Sequence, residues 1–347
     1  MTNTDNNSAG SNNAYDNNAQ APQAKLEWST DQYSPQHKIE AWYQMLCESH
    51  LPWSIDKTPN KTFNANMHLH SFNGYRLIKC ICDPLSGFRD MQQFAQSDDA
   101  YLNILYLRSG REHLRIDYRD IHLQAGDIVL WDSTRKMSFT VSERLEKLTL
   151  MIPETSLTSV FPNAHEYSGI PISGKFGMGA MFANHLNALE HGMADIGVES
   201  VTALMKPTME MLATMMETHT TVSPSTMKYI LLNRVKHFII SHLGEENLTP
   251  STIAEAHNIS PRYLHVLFEE VGTSVSTWIK LRRLERCKDE IFSASLSKRP
   301  LSDIAYKWGF NHPSHFSKVF KKEYGLSPRA FLEQVKLNKS TSKSLPN

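Results

Sequence analysis

Residues 308–328 read WGFNHPSHFSKVFKKEYGLSP, and this stretch decides how the C-terminal part of the chain folds. A Gly-Phe pair ends one short predicted helix, and an Asn-His-Pro run turns the chain. The next predicted helix places Phe316 and Phe320 on one side and Lys318 on another. An apolar seam at this spacing buries one face and leaves a short basic face free. The pattern predicts a helix-turn-helix whose second helix enters a DNA major groove.

The same pattern occurs a second time, upstream of the first. Aligning Ile253 with Ile304 places Phe268 on Phe320, so the apolar seams of the two copies coincide. The repeat therefore predicts two helix-turn-helix units in one domain. Between them, residues 274–292 carry apolar side chains down one face, which predicts a single rigid connecting helix.

Helix starts in this domain share one local signal. Thr or Ser at the N-cap, followed by Pro at the first helical position, occurs at Thr249-Pro250, Ser260-Pro261 and Ser327-Pro328. The N-cap oxygen accepts an unpaired backbone N–H, and Pro stands where no donor is needed. The signal predicts three helix boundaries.

Outward positions near the start of each second helix are the expected base contacts: Arg262, His265 and Val266 in the first unit, and Ser314, His315, Ser317 and Lys318 in the second. A bidentate contact from Arg262 to guanine would supply ~1–3 kcal/mol of discrimination. Flanking cations are the expected phosphate contacts, namely Arg282, Arg283, Arg286, Lys298, Arg299, Lys307, Lys321, Lys322 and Arg329. If about six to eight of them bind phosphate, affinity falls with salt with a logarithmic slope of roughly −5 to −7.

Several of these residues at fixed spacing resemble the signature of the AraC/XylS family of bacterial transcription regulators. They are Ile304-Ala305, Gly309-Phe310, Phe316, Phe320-Lys321 and Gly325-Leu326-Ser327-Pro328. With its copy, the signature covers the last third of the chain. The resemblance implies a transcription activator that binds double-stranded DNA as a homodimer. It also implies a response to a small-molecule effector and contact with RNA polymerase.

Composition supports a division into two domains. The chain has 347 residues, which suits about two domains. From residue 225 onward, 19 Lys and Arg face 11 Asp and Glu, whereas residues 1–224 hold 17 against 25. A basic C-terminal part and an acidic N-terminal part fit one domain that binds nucleic acid and one that does not.

The N-terminal part predicts a different architecture. Residues 1–24 are rich in Asn and are expected to be disordered. After one helix come many short strands, including a hairpin predicted at Ser109-Gly110, so the fold class is α+β with an antiparallel β-barrel. Residues 105–132 resemble the cupin-like ligand-binding domain of AraC-type regulators, and the candidate effector contacts are Arg108, Tyr118 and Trp131.

Two helical stretches precede the basic domain. Their apolar stripes fit either packing within the domain or, as the family resemblance implies, a dimer interface. Pro207 is expected to kink or break the second helix. The expected divisions are a tail at 1–24, a sensor domain at 25–175, a dimerisation element and linker at 176–222, a DNA-binding domain at 223–337 and a tail at 338–347.

Other functions are weaker hypotheses. His68-Leu69-His70 supplies only part of the ligand set of a metal-dependent cupin, so the sequence predicts no metal, no cofactor and no catalytic residues. A cupin-type enzyme with a DNA-binding appendage stays open, as does a sensor domain that serves only as a dimerisation or partner-binding module. The four cysteines suit small core residues. Because no apolar run is long enough to span a membrane, the expected location is the cytoplasm.

Overall fold

The computed structural model describes residues 24–55, 63–90, 93, 100–117, 119–193, 195–220, 224–269, 272–293 and 299–341. Two predicted site residues, Tyr118 and Lys298, lie outside these ranges, as do the tail at 1–23 and residues 342–347.

Strands dominate the first half and helices the second. The strands are β1 Ala24–Ser29, β2 Ser54–Ile55, β3 Ala65–Phe72, β4 Tyr75–Cys82, β5 Leu85–Arg89, β6 Tyr101–Ser109, β7 Arg111–Ile116, β8 Arg119–Gln124, β9 Asp127–Asp132, β10 Met137–Val141, β11 Leu145–Pro153 and β12 Pro171–Ser173. The helices are α1 Lys38–Ser49, α2 Glu154–Val160, α3 Gly177–Gly192, α4 Val198–Thr220, α5 Pro224–Ser241, α6 Pro250–Ala256, α7 Pro261–Glu269, α8 Val275–Ser293, α9 Leu301–Lys307, α10 Pro313–Tyr324 and α11 Pro328–Thr341. Short 3-10 helices lie at Thr30–Gln32 and Ala164–Tyr167.

The strands form two antiparallel sheets, which confirms the predicted α+β class. One has the order β1-β3-β4-β11-β6-β9-β12 and the other β2-β5-β10-β7-β8. Leu105 and Trp131 of the larger sheet pack against Leu114 and Phe139 of the smaller one. Side chains alternate across each strand, so the inward-facing half of both sheets fills a shared core.

The prediction of a hairpin at Ser109-Gly110 is wrong. Strand β6 pairs with β11 and β9, whereas β7 pairs with β10 and β8, so the chain crosses between sheets at Gly110. Gly110 has φ of +84°, and a Cβ there would lie 2.7 Å from the Cβ of Leu145. Strand β7 instead forms a hairpin with β8, next to Asp117 with φ of +53°.

Helices α3 and α4 cover the outer face of the larger sheet. Leu186 and Leu212 pack with Leu77 and Leu150 in one continuous core. The apolar stripes assigned to a dimer interface are therefore largely buried within the same chain. Helix α4 continues through Pro207, so the predicted break does not occur.

The basic domain has two small cores joined by α8. Trp278 belongs to the first core, with α5, α6 and α7, and Cys287 belongs to the second, with α9 and α10. Helix starts at Pro250, Pro261 and Pro328 confirm the predicted boundaries. The connector is a single helix through both cores, as the sequence predicted.

Candidate DNA interface and ligand cavity

Helix α7 is the second helix of the first helix-turn-helix unit. Leu264 and Phe268 are fully buried in the first core. Their spacing leaves Arg262 and His265 exposed and Val266 half-buried. The three predicted base contacts thus lie on or beside the free face of the helix, and the contacts themselves stay predictions.

Helix α10 has the same construction with a different surface. Phe316 and Phe320 are buried, with ring centroids 5.5 Å apart. The predicted base contacts Ser314, His315, Ser317 and Lys318 are all exposed. Gly325, with φ of +76°, ends the helix in the left-handed conformation that favours glycine.

Arg283 fixes the two units relative to each other. Its guanidinium donates to the backbone carbonyl oxygens of Leu243 at 2.9 Å, Glu245 at 2.6 Å and Gly309 at 2.9 Å. A Cβ at Gly309 would lie 2.6 Å from the guanidinium carbon, so glycine is needed for this approach. Arg283 was predicted to bind phosphate, but the structure uses its donors inside the domain.

A second polar cluster surrounds Glu290, which also lies on α8. Arg299 donates to it at 2.6 Å, Lys307 at 2.9 Å and the indole N–H of Trp308 at 2.7 Å. Burial alone would raise the pKa of Glu290, but these hydrogen bonds outweigh it and lower the pKa below its ordinary value. Arg299 and Lys307 remain about half exposed and can also approach phosphate.

The other predicted phosphate contacts divide into two groups. Arg282 and Arg286 line a cavity at the boundary with the sensor domain, and Arg282 pairs with Glu285 at 2.6 Å. Arg286 is nevertheless exposed, as are Lys321, Lys322 and Arg329. The structure therefore leaves these four cations on the surface, whereas Arg282 is half-buried and held by Glu285.

A small cavity lies between the two sheets of the sensor domain. It measures about 30 Å³, and residues from α1 and both sheets line it. The Trp53 ring stands 5.9 Å from that of Trp131 and 5.2 Å from that of Phe139, both in edge-to-face geometry. Its walls are thus largely aromatic and aliphatic, as in many ligand pockets.

A buried ion pair interrupts this apolar lining. Lys147 Nζ lies 2.6 Å from Glu112 Oε1, and the Glu112 side chain has no exposed surface. Burial would lower the pKa of Lys147, but Glu112 outweighs it and raises the pKa, so the lysine stays charged. Burial lowers the pKa of the neighbouring His50 to about 3, so that imidazole is neutral.

The structure divides the predicted effector contacts. Trp131 lines the cavity. Arg108 does not, because its guanidinium donates to Asn187 at 2.6 Å and to Glu190 at 3.2 Å, both on α3. The Arg108 prediction is corrected, since it faces the helical side of the larger sheet. Sequence reasoning missed Glu112, although its inward register with Leu114 on β7 was a usable signal.

The sensor and DNA-binding domains meet at a polar joint. Arg135 pairs with Asp117 at 2.7 Å and reaches Asn233 of α5 at 3.4 Å. Lys136 pairs with Glu285 of α8 at 2.8 Å. Further contacts are Arg234 to Glu166 and the stacked rings of His165 and His237, whose centroids are 4.8 Å apart. Arg135, Lys136, Glu285 and the two histidines line a cavity of about 150 Å³ at this joint.

Two features are absent from the part of the chain that the structure describes. There, no helix is long and apolar enough to cross a membrane. On β3, His68 is exposed and His70 buried, and no three potential metal ligands gather within the described ranges.

Comparison with known proteins identifies both halves. A model of the AraC-binding-like domain matches residues 42–216, and a helix-turn-helix domain model matches residues 253–334. The transcriptional activator NphR of Rhodococcus sp is 24% identical over 84% of this chain and 86% of its own. The arabinose operon regulatory protein of Escherichia coli K12 is 31% identical, over 28% of this chain and 34% of its own.

A solved structure has the same fold. The AraC-like transcriptional activator CuxR superposes with a TM-score of 0.50 and 20% identity, over 77% of this chain and 96% of its own. The first family model alone spans half of the chain. The chain therefore belongs to the AraC family of DNA-binding transcription regulators, a family of transcription factors rather than enzymes.

Proposed function

We propose that this regulator is an activator whose DNA binding responds to a small molecule held between the two sheets of the sensor domain. The main support is the path of strand β10. Met137 and Phe139 on this strand line the sensor cavity, and Lys136, the residue before it, pairs with Glu285 on the connector helix. A change at the cavity would thus reach the helix that holds both DNA-binding units.

Each unit has a role at the DNA. Arg262 on α7 is exposed and suited to bidentate contact with guanine, whereas Ser314 and Lys318 on α10 present shorter or single donors. Two recognition helices on one face of B-DNA enter successive major grooves when they lie about 34 Å apart. Because Arg283 and the connector α8 hold the units rigidly, the DNA would bend where the helices lie closer than that.

An effector can act only through its different affinity for two states of the protein. The joint offers such states, because it consists of polar contacts that are individually modest, such as the partly exposed pair of Lys136 and Glu285. A ligand that shifts β10 would weaken or strengthen these contacts. DNA affinity would then change without any movement inside the two small cores.

Activation, dimerisation and contact with RNA polymerase complete the proposal. NphR, a relative aligned over 84% of this chain, is described as an activator. Since the α3 and α4 stripes are used within the chain, a homodimer would form through their outer surfaces, where Met181 and Leu204 are exposed. A regulator that acts on promoters in this way would work in the cytoplasm.

Selection of DNA sites in vitro, followed by transcription with purified RNA polymerase, tests this function. We expect the full chain to enrich one sequence motif and to raise transcription from a promoter that carries it. The Arg262→Ala variant should lose part of the motif. The matched control Arg115→Ala, which removes an exposed arginine from the sensor surface, should keep the whole motif. No enrichment by the wild-type protein, or equal enrichment by Arg262→Ala, would contradict the proposal.

A further inference from the structure

We infer that the cavity between the sheets takes a small neutral aromatic molecule that carries a hydrogen-bond donor, and that Glu112 accepts the hydrogen bond. The inference rests on the proposed function, because it names the chemical class of its effector. It follows from the shape, the polar atoms and the charge of the cavity.

The size of the cavity and its aromatic wall favour a small, flat ligand. A cavity of about 30 Å³ has room for one or two water molecules, so a ligand must widen it. Met137 lies in the wall and has the flexible side chain that adapts most readily. Edge-to-face packing of Trp53 on Trp131 and Phe139 offers ring faces and edges to a further ring.

Three polar atoms of wall residues define the hydrogen bonds that the ligand must supply. Within the described part of the chain, Glu112 Oε2 and the indole nitrogens of Trp42 and Trp53 are buried and make no hydrogen bond. Leaving such atoms unsatisfied is costly, and an acceptor on a charged group most of all. A hydroxyl or a primary amide both donates and accepts, so it can satisfy the carboxylate and one indole together.

Charge excludes an anionic ligand. Among the wall residues, Glu112 and Lys147 are the charged pair, and they neutralise each other at 2.6 Å. His50 is neutral, and a hydrogen bond with Cys80 together with burial raises the pKa of Cys82. A ligand carboxylate would leave one buried negative charge without a partner, which is strongly unfavourable. A neutral hydrogen-bond donor leaves the charges of Glu112 and Lys147 balanced.

Binding of four single-ring probes to the full chain tests this assignment by calorimetry without DNA. Phenol and benzamide carry a neutral donor, toluene carries none, and benzoate carries a negative charge. A hydrogen bond to a charged group corresponds to roughly tenfold or more in affinity, so phenol and benzamide should bind at least about tenfold more tightly than toluene and benzoate. Benzoate binding as tightly as phenol, toluene binding as tightly as phenol, or no binding of any probe would overturn the inference.

Matched variants locate the binding. Glu112→Gln keeps the shape of the side chain and removes its charge, so the preference for phenol over toluene should fall about fivefold or more. Glu143→Gln is the control, because that glutamate lies exposed on the surface. Where Glu112→Gln does not fold, Trp53→Phe keeps an aromatic ring and removes one indole donor, and it should reduce affinity for benzamide more than for toluene. If folded Glu112→Gln kept the wild-type preference for phenol over toluene, Glu112 would not be the acceptor. If Trp53→Phe lost no more affinity for benzamide than for toluene, Trp53 would not contact the ligand.

The binding order of the probes tests the ligand class, and their effect on DNA affinity tests the proposed function, so the two hypotheses can fail separately. Probes that bind in the expected order but leave DNA affinity unchanged would support the ligand class and contradict the effector role. Conversely, benzoate that binds most tightly and also changes DNA affinity would overturn the ligand class and support the effector role.

Discussion

The two helix-turn-helix units have the same framework and different surfaces. In both, an apolar seam of two residues at i and i+4 is fully buried: Leu264 and Phe268 in the first, Phe316 and Phe320 in the second. The free face of α7 carries a single basic residue, Arg262, whereas α10 carries three lysines. The buried seam therefore determines the fold of each unit, whereas the exposed face determines what the unit can bind. Beside the base contacts predicted for both units, the additional exposed Lys321 and Lys322 make the second unit better suited to phosphate contacts.

The units also differ in their neighbours. The first core includes α5, which contacts the sensor domain through Arg234 and His237. The second core packs on the later part of α8 and is completed by the cluster around Glu290. A change in the sensor domain would therefore reach the first unit directly and the second through the connector.

Replacing Phe320 by Ala should give the largest effect. Removing this fully buried ring costs about 3–5 kcal/mol of unfolding free energy. Because the two cores are separate clusters, hydrogen exchange should show lost protection in α9 and α10 while α6 and α7 stay protected. Phe268→Ala is the matched variant and should give the opposite pattern. Equal loss of protection in both units would show that they form one cooperative core.

The next effect concerns the pH dependence of stability. Burial raises the pKa of Asp289, on the connector α8, to about 7. A carboxyl whose pKa is raised in the folded state binds a proton there that the unfolded chain releases, so stability falls as pH rises from about 4 to 7. Asp289→Asn should remove this loss and add on the order of 2 kcal/mol at pH 8 in urea unfolding. Asp303→Asn, at an exposed site on α9, is the control, and an equal gain from it would contradict the assignment.

The salt dependence of DNA affinity should reveal the phosphate contacts of the second unit. Removing both Lys321 and Lys322 should lower the slope of log affinity against log salt by about 2, because each lost phosphate contact removes about one unit. The double Ala variant should bind more weakly on every DNA sequence. Lys25→Ala, on the exposed surface of β1, is a control that should leave the slope unchanged. An unchanged slope in the double variant would place the phosphate contacts elsewhere.

The joint should give the smallest effect on stability. Lys136→Met removes the pair with Glu285, in which the lysine side chain is 39% exposed, so the loss should stay below ~1 kcal/mol in thermal unfolding. Any effect of an effector on DNA affinity should nevertheless weaken in this variant. A full effector response in Lys136→Met would show that the signal does not pass through this contact.

Local signals predicted the DNA-binding domain well. Thr249, for example, accepts the N–H of Thr252 in a capping box, as its place before Pro250 indicated. Signals of this kind involve residues a few positions apart, so the sequence contains them directly. The buried seams and the single connector helix were predicted for the same reason.

Contacts between distant parts of the chain were not predictable in this way. Ser109-Gly110 has the composition of a hairpin turn, but its flanking strands find partners in different sheets. Arg108 and Trp131 lie on opposite faces of the larger sheet, one covered by α3 and α4 and the other by the smaller sheet. Local sequence does not show which of these faces borders the cavity. The pair of Glu112 and Lys147 joins residues 35 positions apart, which no local spacing indicates.

Genome-wide DNA binding of the full-length protein, compared with Arg262→Ala and with the surface control Arg115→Ala, tests the central claim most directly. We expect wild type and control to occupy discrete sites near promoters with one shared motif. In Arg262→Ala, a guanine position of that motif should be relaxed, at a cost of about 1–3 kcal/mol in discrimination. Binding of the wild-type protein in proportion to DNA content, or an intact motif in Arg262→Ala, would contradict the account.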